Sequence, residues 1–363
     1  MPPARSISDV VANLLEQSDL PFRDFVELAL YHPDFGYYRR PLSPVGKGGD
    51  YVTSPALTPV FAFALARLVR EFVSRSEGAL TTIVDVGCGD GSLINNVCAE
   101  AGVAARWFGV DRALERVRDP HPDVHFVTSL GEVPGDGAQL VISNELFDAF
   151  PFTRLVMRGE HLHELWVTEG LEWKEYEAAA PYEDYFAARG IALEDGQFAD
   201  VSLEWEAFYD DLAKRTERGL IVTFDYGYPE SQLFHPRARR FGTAAAYAQQ
   251  RVTRDLLANA GEQDLTAHIN FSDLQRAGER HGYRTLFFDR QAKFLLSLGI
   301  TEHELFKPAQ EVPLASLEEG VALIDAREEA RRLVLPDSLG HDIRVLVQGR
   351  GVGEGWSFQR ALW

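Results

Sequence analysis

Cysteine and basic residues are both scarce in this 363-residue chain. The two cysteines, Cys88 and Cys98, form no CxxC pair, which argues against a disulfide framework or a structural zinc site and favours a reducing cytoplasm. Lys and Arg number 36 against 55 Asp and Glu, for a net charge of −19. A chain this acidic lacks the positive footprint that nucleic acid requires, so we expect no nucleic acid partner, whereas a cationic partner would suit it.

Long apolar runs are also missing. No stretch reaches the roughly 18 consecutive apolar residues of a membrane-spanning helix, and the N-terminus lacks the apolar run of a signal peptide. Internal repeats and low-complexity tracts are absent too. With 45% hydrophobic and 25% charged residues, the composition predicts a soluble, cytoplasmic globular protein with no membrane partner.

The hydrophobic pattern changes character after Gly78. Residues 1–77 show helical periodicity broken by a turn-rich loop, whereas the rest alternates β-branched runs with helical stretches. This alternation predicts an α/β fold with a mostly parallel sheet of seven strands. The strands are predicted over Thr81–Val86, Arg106–Val110, Val124–Val127, Gln139–Ser143, Leu220–Phe224, Thr285–Phe288 and Ile343–Val347, with helices from Ser92, about Ala113 and about Leu146.

Two segments depart from this alternation. Residues 152–168 predict an antiparallel hairpin around Arg158–His161. Residues 228–271 are turn-rich and then helical, and we expect them to cover the ligand-binding edge of the sheet, although a merely solvated basic surface is an equal alternative. The arginines of this insertion are Arg237, Arg239, Arg240, Arg251 and Arg254.

A glycine-rich turn joins the first predicted strand to its helix. It reads Asp85-Val86-Gly87-Cys88-Gly89-Asp90-Gly91, and Ser92 stands where a dinucleotide-binding turn would have its third glycine. The spacing resembles the DxGxGxG turn of class I S-adenosylmethionine-dependent methyltransferases. Asp111 ends the next strand about 20 residues later, the position of a ribose-binding carboxylate. Asp85, Gly87, Gly89, Gly91 and Asp111 are therefore predicted cofactor-binding residues.

Polar residues also follow the fourth predicted strand, in Ser143-Asn144-Glu145-Leu146-Phe147-Asp148. Strand ends at this edge of an open α/β sheet face ligands. If a helical turn begins here, Glu145 and Asp148 share one face and could hold a guanidinium, which two carboxylates match. Asn144, Glu145 and Asp148 are therefore predicted catalytic residues, with Asn144 also near the cofactor; simple helix capping is the alternative.

Two later segments offer further candidates. Asp225 and Tyr226 follow the fifth strand, where they could wall the acceptor or simply pack in the core. In 263–271 the alternation places Asp264, His268 and Asn270 on one side of an extended segment. His268 is a candidate general base or positioning residue, with a structural role as the alternative. We expect no metal site, because His161 and His163 have no third ligand nearby in sequence.

Several motifs together make the chain resemble the MidA-like methyltransferase family, which includes protein arginine methyltransferases. The motifs are Tyr31–Tyr38 (YHPDFGYY), Gly49–Pro55 (GDYVTSP), the glycine turn, Asn144–Pro151 (NELFDAFP), Asp225–Gly227, Gly242-Thr243, Gln263–Phe271 (QDLTAHINF) and Phe294–Ile300 (FLLSLGI). The resemblance implies a class I (Rossmann-like) core over 78–363, preceded by a helical segment over 1–77 that contributes to the site. It also implies cofactor contacts from Gly49, Asp50, Thr53, Ser54 and Pro55, and places Tyr37 among the substrate-binding candidates with Asp225, Tyr226, Asp264 and Asn270.

Three functions remain open at this point. The first is methylation of an arginine side chain in a partner protein, with S-adenosylmethionine as cofactor. The second is methylation of a small molecule, which the unusual Ala244-Ala245-Ala246 after Gly242-Thr243 favours. The third is an assembly factor that binds S-adenosylmethionine with little turnover. The oligomeric state is also open, a homodimer included.

Overall fold

Seven strands of the described residues form the main run of the central sheet, and a short eighth strand pairs with one of them. The computed structural model describes residues 6–39, 54, 58–76, 78–248, 251–307, 317–335, 338–352, 355, 356 and 358. The sixteen strands of this part are β1 (Leu20–Pro21), β2 (Thr81–Val86), β3 (Arg106–Val110), β4 (Val124–Val127), β5 (Ala138–Asn144), β6 (Thr153–Arg158), β7 (His161–Thr168), β8 (Glu172–Glu177), β9 (Phe198–Val201), β10 (Gly219–Tyr228), β11 (Ala245–Ala248), β12 (Arg251–Thr253), β13 (Asp264–Thr266), β14 (Ile269–Asn270), β15 (Arg284–Arg290) and β16 (Ile343–Arg350).

The helices of the described residues lie mainly between these strands. They are α1 (Ile7–Leu15), α2 (Phe22–Tyr31), α3 (Val60–Arg75), α4 (Ser92–Ala101), α5 (Ala180–Arg189), α6 (Glu204–Arg215), α7 (Glu230–Leu233), α8 (Phe271–Arg280), α9 (Gln291–Ser297), α10 (Leu317–Arg332) and α11 (Leu339–Asp342). No helix among the described residues is long and apolar enough to cross a bilayer.

The order of the central sheet is β4–β3–β2–β5–β10–β16–β15. Strands β4, β3, β2, β5 and β10 run parallel, whereas β16 is antiparallel to both of its neighbours. Every residue of β2 is buried, as expected of a strand with helices on both faces. This is the α/β architecture expected from the alternating pattern, and all seven predicted strands are present.

Alternate residues of each strand enter different cores. Ile83 packs in a cluster with α3, α4 and α9, while its neighbour Val84 packs in a cluster with α6 and α8. The period of two along a strand produces this division, and it places helices on both faces of the sheet. The carboxyl ends of β2, β3, β5 and β10 therefore meet at one open edge.

A second, antiparallel sheet is inserted between β5 and β10. Its order is β1–β7–β6–β9, with β8 also paired to β7. The predicted hairpin is present as β6 and β7. Strands β8 and β9, and the pairing of β1 from the N-terminal segment with β7, were not predicted. The insertion after β10 adds a small sheet of β12–β11–β13, and β14 pairs in parallel with the end of β10.

Two predicted helices are wrong. Beyond Ala113 only a short 3-10 turn forms, over Leu114–Arg116, and no helix begins at Leu146. Glu145 has a left-handed backbone with φ 51°, which a right-handed helix cannot include. The shared helical face expected for Glu145 and Asp148 is therefore absent. The extended segment at 264–270 is likewise interrupted between β13 and β14.

Candidate active site

The glycine turn forms as the sequence predicts, between β2 and α4. Gly87, Gly89 and Gly91 have φ of 75°, 56° and 79°, in the region that favours glycine. The backbone N–H groups of Gly87 and Cys88 donate to the carbonyl of Val110 at 2.8 and 3.1 Å, which fixes the turn to the end of β3. A Cβ on Gly89 would meet nothing within 4 Å, so the backbone there borders open space. The turn thus leaves its main chain accessible to a ligand.

A cavity of about 650 Å³ opens above this turn at the carboxyl edge of the sheet. Asp85, Gly87, Gly89, Asp111, Asn144 and Glu145, all predicted from the sequence, line it. The other walls include residues that the sequence reasoning did not single out, namely Glu27, Tyr31, Tyr38, Arg112, Arg116, Phe150, Glu204 and Phe208. Tyr31 and Tyr38 belong to the YHPDFGYY motif, which was the available signal for them.

Asp85 lies at the base of the turn with an unsatisfied oxygen. The residue is only 2% exposed, and its Oδ2 atom has no hydrogen-bond partner among the described residues. Burial, reinforced by the charge of Asp111, raises the pKa of Asp85 to about 8. A buried acceptor without a donor is suited to the ammonium group at the amino-acid end of S-adenosylmethionine. Asp85 therefore fits the predicted cofactor.

Asp111 stands at the end of β3, on the same rim of the cavity. Its two carboxylate oxygens accept hydrogen bonds from the backbone N–H groups of Gly89 and Ala113, both at 2.9 Å. These bonds hold the glycine turn in place and leave lone pairs on the carboxylate for further donors. The position fits a carboxylate that receives the two ribose hydroxyls of the cofactor.

Glu145 is held in an unusual conformation just after β5. Its backbone N–H donates to the carbonyl of Phe224 at 2.8 Å, and its carboxylate accepts from the Asn144 amide at 3.1 Å and from the backbone N–H of Ser54. A left-handed non-glycine residue costs backbone energy and often marks a functional site. Burial and the nearby Asp148 raise the pKa of Glu145 to about 8.

Three more carboxylates lie close behind Glu145. Burial and the charges of Asp225 and Asp264 raise the pKa of Asp148, and burial raises that of Asp225 to about 8. The Tyr38 hydroxyl donates to Asp264 at 3.0 Å. Among the described residues, no Lys, Arg or His forms an ion pair with Glu145, Asp148 or Asp225. We call these four side chains the acidic cluster; at least three of them lack a cationic partner among the described residues, and burial keeps their carboxyls protonated to a higher pH than in water.

Aromatic residues continue from the acidic cluster along β10. Tyr226 stacks on His268 with ring centroids 6.3 Å apart, and Tyr228 lies 5.4 Å from the same imidazole. Burial, with the charges of Arg239 and Arg254, lowers the pKa of His268 to about 4. His268 is therefore neutral near pH 7, and its Nδ1, which has no hydrogen-bond partner in the described part of the chain, suits hydrogen bonding better than proton uptake.

Several predicted substrate contacts receive structural roles instead. Tyr37 is fully buried and packs edge-on against Tyr38. Asn270 is fully buried, caps α8 by accepting from the Ser272 N–H at 3.1 Å, and donates to the Tyr185 hydroxyl. We therefore correct the expectation that Tyr37 and Asn270 bind substrate, because neither side chain reaches the cavity.

Asp225 was also predicted to bind substrate, and this expectation is corrected too. Both of its oxygens accept backbone N–H groups, from Phe147 and Tyr226 at 2.8 Å each, so it shapes the Asn144–Pro151 loop rather than contacting an acceptor. Its carboxyl still belongs to the acidic cluster.

The predicted cofactor contacts in the GDYVTSP motif lie mostly outside the described residues, namely Gly49, Asp50, Thr53 and Pro55. Ser54 is described and is fully buried, with its hydroxyl exchanging hydrogen bonds with the Gln291 amide at 3.1 and 2.9 Å. Its backbone N–H, as described above, reaches Glu145 instead.

Comparisons with known proteins agree with this geometry. A family model described as "Putative S-adenosyl-L-methionine-dependent methyltransferase" matches residues 110–288. The Danio rerio mitochondrial protein arginine methyltransferase NDUFAF7 is 21% identical over 335 residues, which cover 81% of this chain and 76% of that protein.

Two crystal structures from Burkholderia thailandensis share the fold over nearly the whole chain. One, bound to S-adenosyl-homocysteine, is 25% identical with a TM-score of 0.81, and the match covers 96% of this chain and 94% of that one. The other is 23% identical with a TM-score of 0.80, covering 98% and 95%. With the glycine turn, Asp85 and Asp111 at the cavity, these matches show that the chain is an S-adenosylmethionine-dependent methyltransferase with the class I fold, similar to the MidA-like proteins.

Proposed function

We propose that this methyltransferase transfers its methyl group to an arginine side chain of a partner protein. The observation that carries the proposal is the acidic cluster beside the glycine turn, in which Glu145, Asp148 and Asp225 have no described cationic partner. Buried carboxylates are costly unless a cation neutralises them. The guanidinium group of arginine stays charged at any physiological pH and presents several hydrogen-bond donors at once. The relative NDUFAF7 is named a protein arginine methyltransferase, which supports the same acceptor.

Within this proposal the residues of the cluster have separate tasks. When bound, S-adenosylmethionine supplies an electrophilic methyl group to a nitrogen nucleophile. Glu145 lines the cavity and would accept hydrogen bonds from the guanidinium, so that the reacting nitrogen faces the glycine turn. A bound cation would favour ionisation of Asp148 and Asp264 close by, and one ionised carboxylate of the cluster would take up the proton that the nitrogen loses. Tyr31 and Phe150 help to exclude water from the same space.

The experiment combines labelled S-adenosylmethionine with a host lysate and acid hydrolysis of the labelled material. Arginine methylation should place the label in methylarginine recovered from a discrete protein band. Label in small molecules alone would support a natural-product type of acceptor, and label in methyllysine or in no product would overturn the arginine assignment.

A pair of glutamine variants tests whether Glu145 carries the reaction. Glu145→Gln should lower turnover by roughly 10²-fold or more, because the cluster loses the carboxylate that lines the cavity, while S-adenosylhomocysteine affinity changes little. Glu160→Gln, in the exposed turn between β6 and β7, is the matched control and should behave as wild type. Equal losses of turnover and cofactor affinity in Glu145→Gln would contradict an acceptor role.

A further inference from the structure

A group of arginines surrounds Tyr228 at the end of β10, although the chain as a whole carries a charge of −19. The guanidinium carbon of Arg239 lies 4.4 Å from the centre of the Tyr228 ring, and that of Arg344 lies 5.7 Å from it. Arg239 comes from the insertion after β10 and Arg344 from β16. Two elements far apart in sequence therefore bring positive charge to one aromatic ring, an arrangement that solvation of a basic surface does not require.

The charges of these arginines are poorly balanced within the described residues. The side chain of Arg344 is 18% exposed, its Nε atom has no hydrogen-bond partner, and its ion pair with Asp289 is long, at 4.0 Å. Asp289 is also held by Lys293 at 2.6 Å. Arg239 forms no ion pair in this part of the chain, and its guanidinium donates to the carbonyl of Ala238.

The neighbouring groups do not supply the missing negative charge. Arg290, which is opposite Arg344 in the sheet register, faces the imidazole of His341 at 2.8 Å rather than a carboxylate. Asp225 is also opposite Arg344 in register, but its oxygens accept backbone N–H groups. Asp342 is exposed to solvent nearby. Burial and the charge of Arg290 accordingly lower the pKa of Arg344.

The arginine group is close to the acidic cluster. Tyr226 and Tyr228 are two residues apart on β10, a spacing that puts them on the same face about 7 Å apart. The ring of His268 lies against both tyrosines, at 6.3 and 5.4 Å. Burial, together with the charges of Glu145 and Asp148, raises the pKa of Tyr226, so these two carboxylates lie near its ring. Acidic and basic groups from different elements thus lie near the two tyrosines at the end of β10.

We propose that Arg239 and Arg344 bind a carboxylate of the methyl acceptor, so that the enzyme selects an arginine with a carboxylate nearby. This inference rests on the proposed arginine methylation. Guanidinium groups bind carboxylates through paired, charge-assisted hydrogen bonds, and the Tyr228 ring holds them in position without neutralising them. The carboxylate can come from an acidic side chain or from the C-terminus of the acceptor.

Four synthetic peptides separate these sources. Each of the first three carries one arginine; one has Glu three residues away and an amidated C-terminus, the second has Gln in place of Glu, and the third combines Gln with a free C-terminal carboxylate. The fourth replaces the arginine of the first by lysine. We expect wild-type enzyme to show a KM roughly tenfold lower for a carboxylate-bearing arginine peptide than for the neutral one, with similar kcat. The first and third peptides show which carboxylate is used.

Variants then assign the effect to the arginines. Arg239→Gln and, separately, Arg344→Gln should raise the KM for the carboxylate peptide about tenfold. The KM for the neutral peptide and the affinity for S-adenosylhomocysteine should stay unchanged. Arg237 is exposed in the same segment, and Arg237→Gln should change the KM for neither peptide. Since Arg344 lies within the sheet, Arg239→Gln decides the matter if the Arg344 variant misfolds.

The outcomes distinguish the two levels of the proposal. Two results would overturn the carboxylate site while arginine methylation stands. One is equal KM values for the neutral and carboxylate peptides in the wild type, and the other is an equal rise in KM for both peptides in Arg239→Gln. Methylation of no arginine peptide, or preference for the lysine peptide, would instead overturn the arginine assignment and this inference with it.

Discussion

At the residue scale, Glu145 shows most clearly how tertiary contacts override the backbone conformation that the local sequence predicts. The sequence predicts a helical turn here, with Glu145 and Asp148 on one face. The structure gives Glu145 a φ of 51° because its N–H bonds to Phe224 while its carboxylate receives the Ser54 N–H. The two carboxylates still come together, but through tertiary contacts that local sequence does not contain. The sequence thus predicted that these two carboxylates would be neighbours, but not the contacts that bring them together.

The raised pKa of Glu145 predicts a pH-dependent cost to stability. Its pKa is about 8 in the folded chain and near 4.5 when unfolded, so between these values folding requires the carboxyl to keep a proton that the unfolded chain releases. Wild-type stability should therefore fall as pH rises from about 4.5 to 8. The slope is at most ~1.4 kcal/mol per pH unit, and less in practice because Glu145 is partly open to the cavity.

Glu145→Gln makes this cost measurable, since glutamine does not titrate. In urea unfolding without cofactor, the stability of the variant relative to wild type should grow by about 1 kcal/mol or more between pH 5.5 and pH 7.5. Glu160→Gln serves as the control, and its difference in stability from wild type should stay constant between these two pH values. A constant difference for Glu145→Gln would show that its carboxyl is already ionised in the folded protein.

Asp111 gives the second residue-scale prediction. Asp111→Ala removes the carboxylate that supports Gly89 and faces the ribose position, so S-adenosylhomocysteine binding should weaken by roughly 1–3 kcal/mol in calorimetric titration. Asp184→Ala, an exposed change on α5, should bind as wild type does. Unchanged affinity in Asp111→Ala would rule out a ribose contact.

At the scale of elements, the central sheet was predictable and the second sheet was not. Buried parallel strands such as β2 consist of apolar and β-branched runs that stand out from the helices between them. Strand β8 (EWKEYE) is almost wholly exposed, and β1 has only two residues, so neither carries a hydrophobic signal. The pairing of β1 with β7 depends on a partner distant in sequence, whereas β8 follows β7 after a short turn but has no apolar alternation to reveal it. The hairpin of β6 and β7 was predictable because its strands are contiguous and both carry buried apolar residues.

Gly242 joins the insertion after β10 to the second sheet, and it yields a prediction at this scale. Its φ is 70°, and a Cβ there would lie 2.2 Å from Oδ2 of Asp200. That oxygen accepts the N–H groups of Thr243 and Ala244 at 2.6 and 2.8 Å, while Oδ1 pairs with Arg154. Gly242→Ala should therefore cost roughly 2–4 kcal/mol of unfolding free energy, from backbone strain and displacement of Asp200.

Gly190→Ala is the matched control in the same urea measurement. Gly190 has a φ of 63°, and a Cβ there would meet nothing within 4 Å, so its substitution carries backbone strain alone, about 1–2 kcal/mol. Equal losses for the two variants would mean that Asp200 moves aside at little cost and that the close approach at Gly242 is unimportant.

At the scale of the whole molecule, parts from three regions of the sequence share one core. Phe25 of α2, Val167 of the second sheet and Leu265 of β13 belong to a single buried cluster. Phe22 also contacts Phe152 and Trp173, with ring centroids 5.6 and 4.9 Å apart. The same helix α2 supplies Tyr31 to the cavity, where its hydroxyl donates to the Ala149 carbonyl at 2.6 Å. Ligand binding at the sheet edge should therefore stabilise segments far from the glycine turn.

Hydrogen exchange with S-adenosylhomocysteine tests this coupling. At about 100 times its Kd, the ligand should add ~2.7 kcal/mol to opening reactions that expose the site. If α2 opens only together with the site, its amides should gain the same protection as those of β2, because loss of α2 removes Tyr31 from the cavity wall. Asp111→Ala at the same ligand concentration should show less protection in both elements. Protection confined to β2 and α4 would mean that the N-terminal helices open independently of the cofactor site.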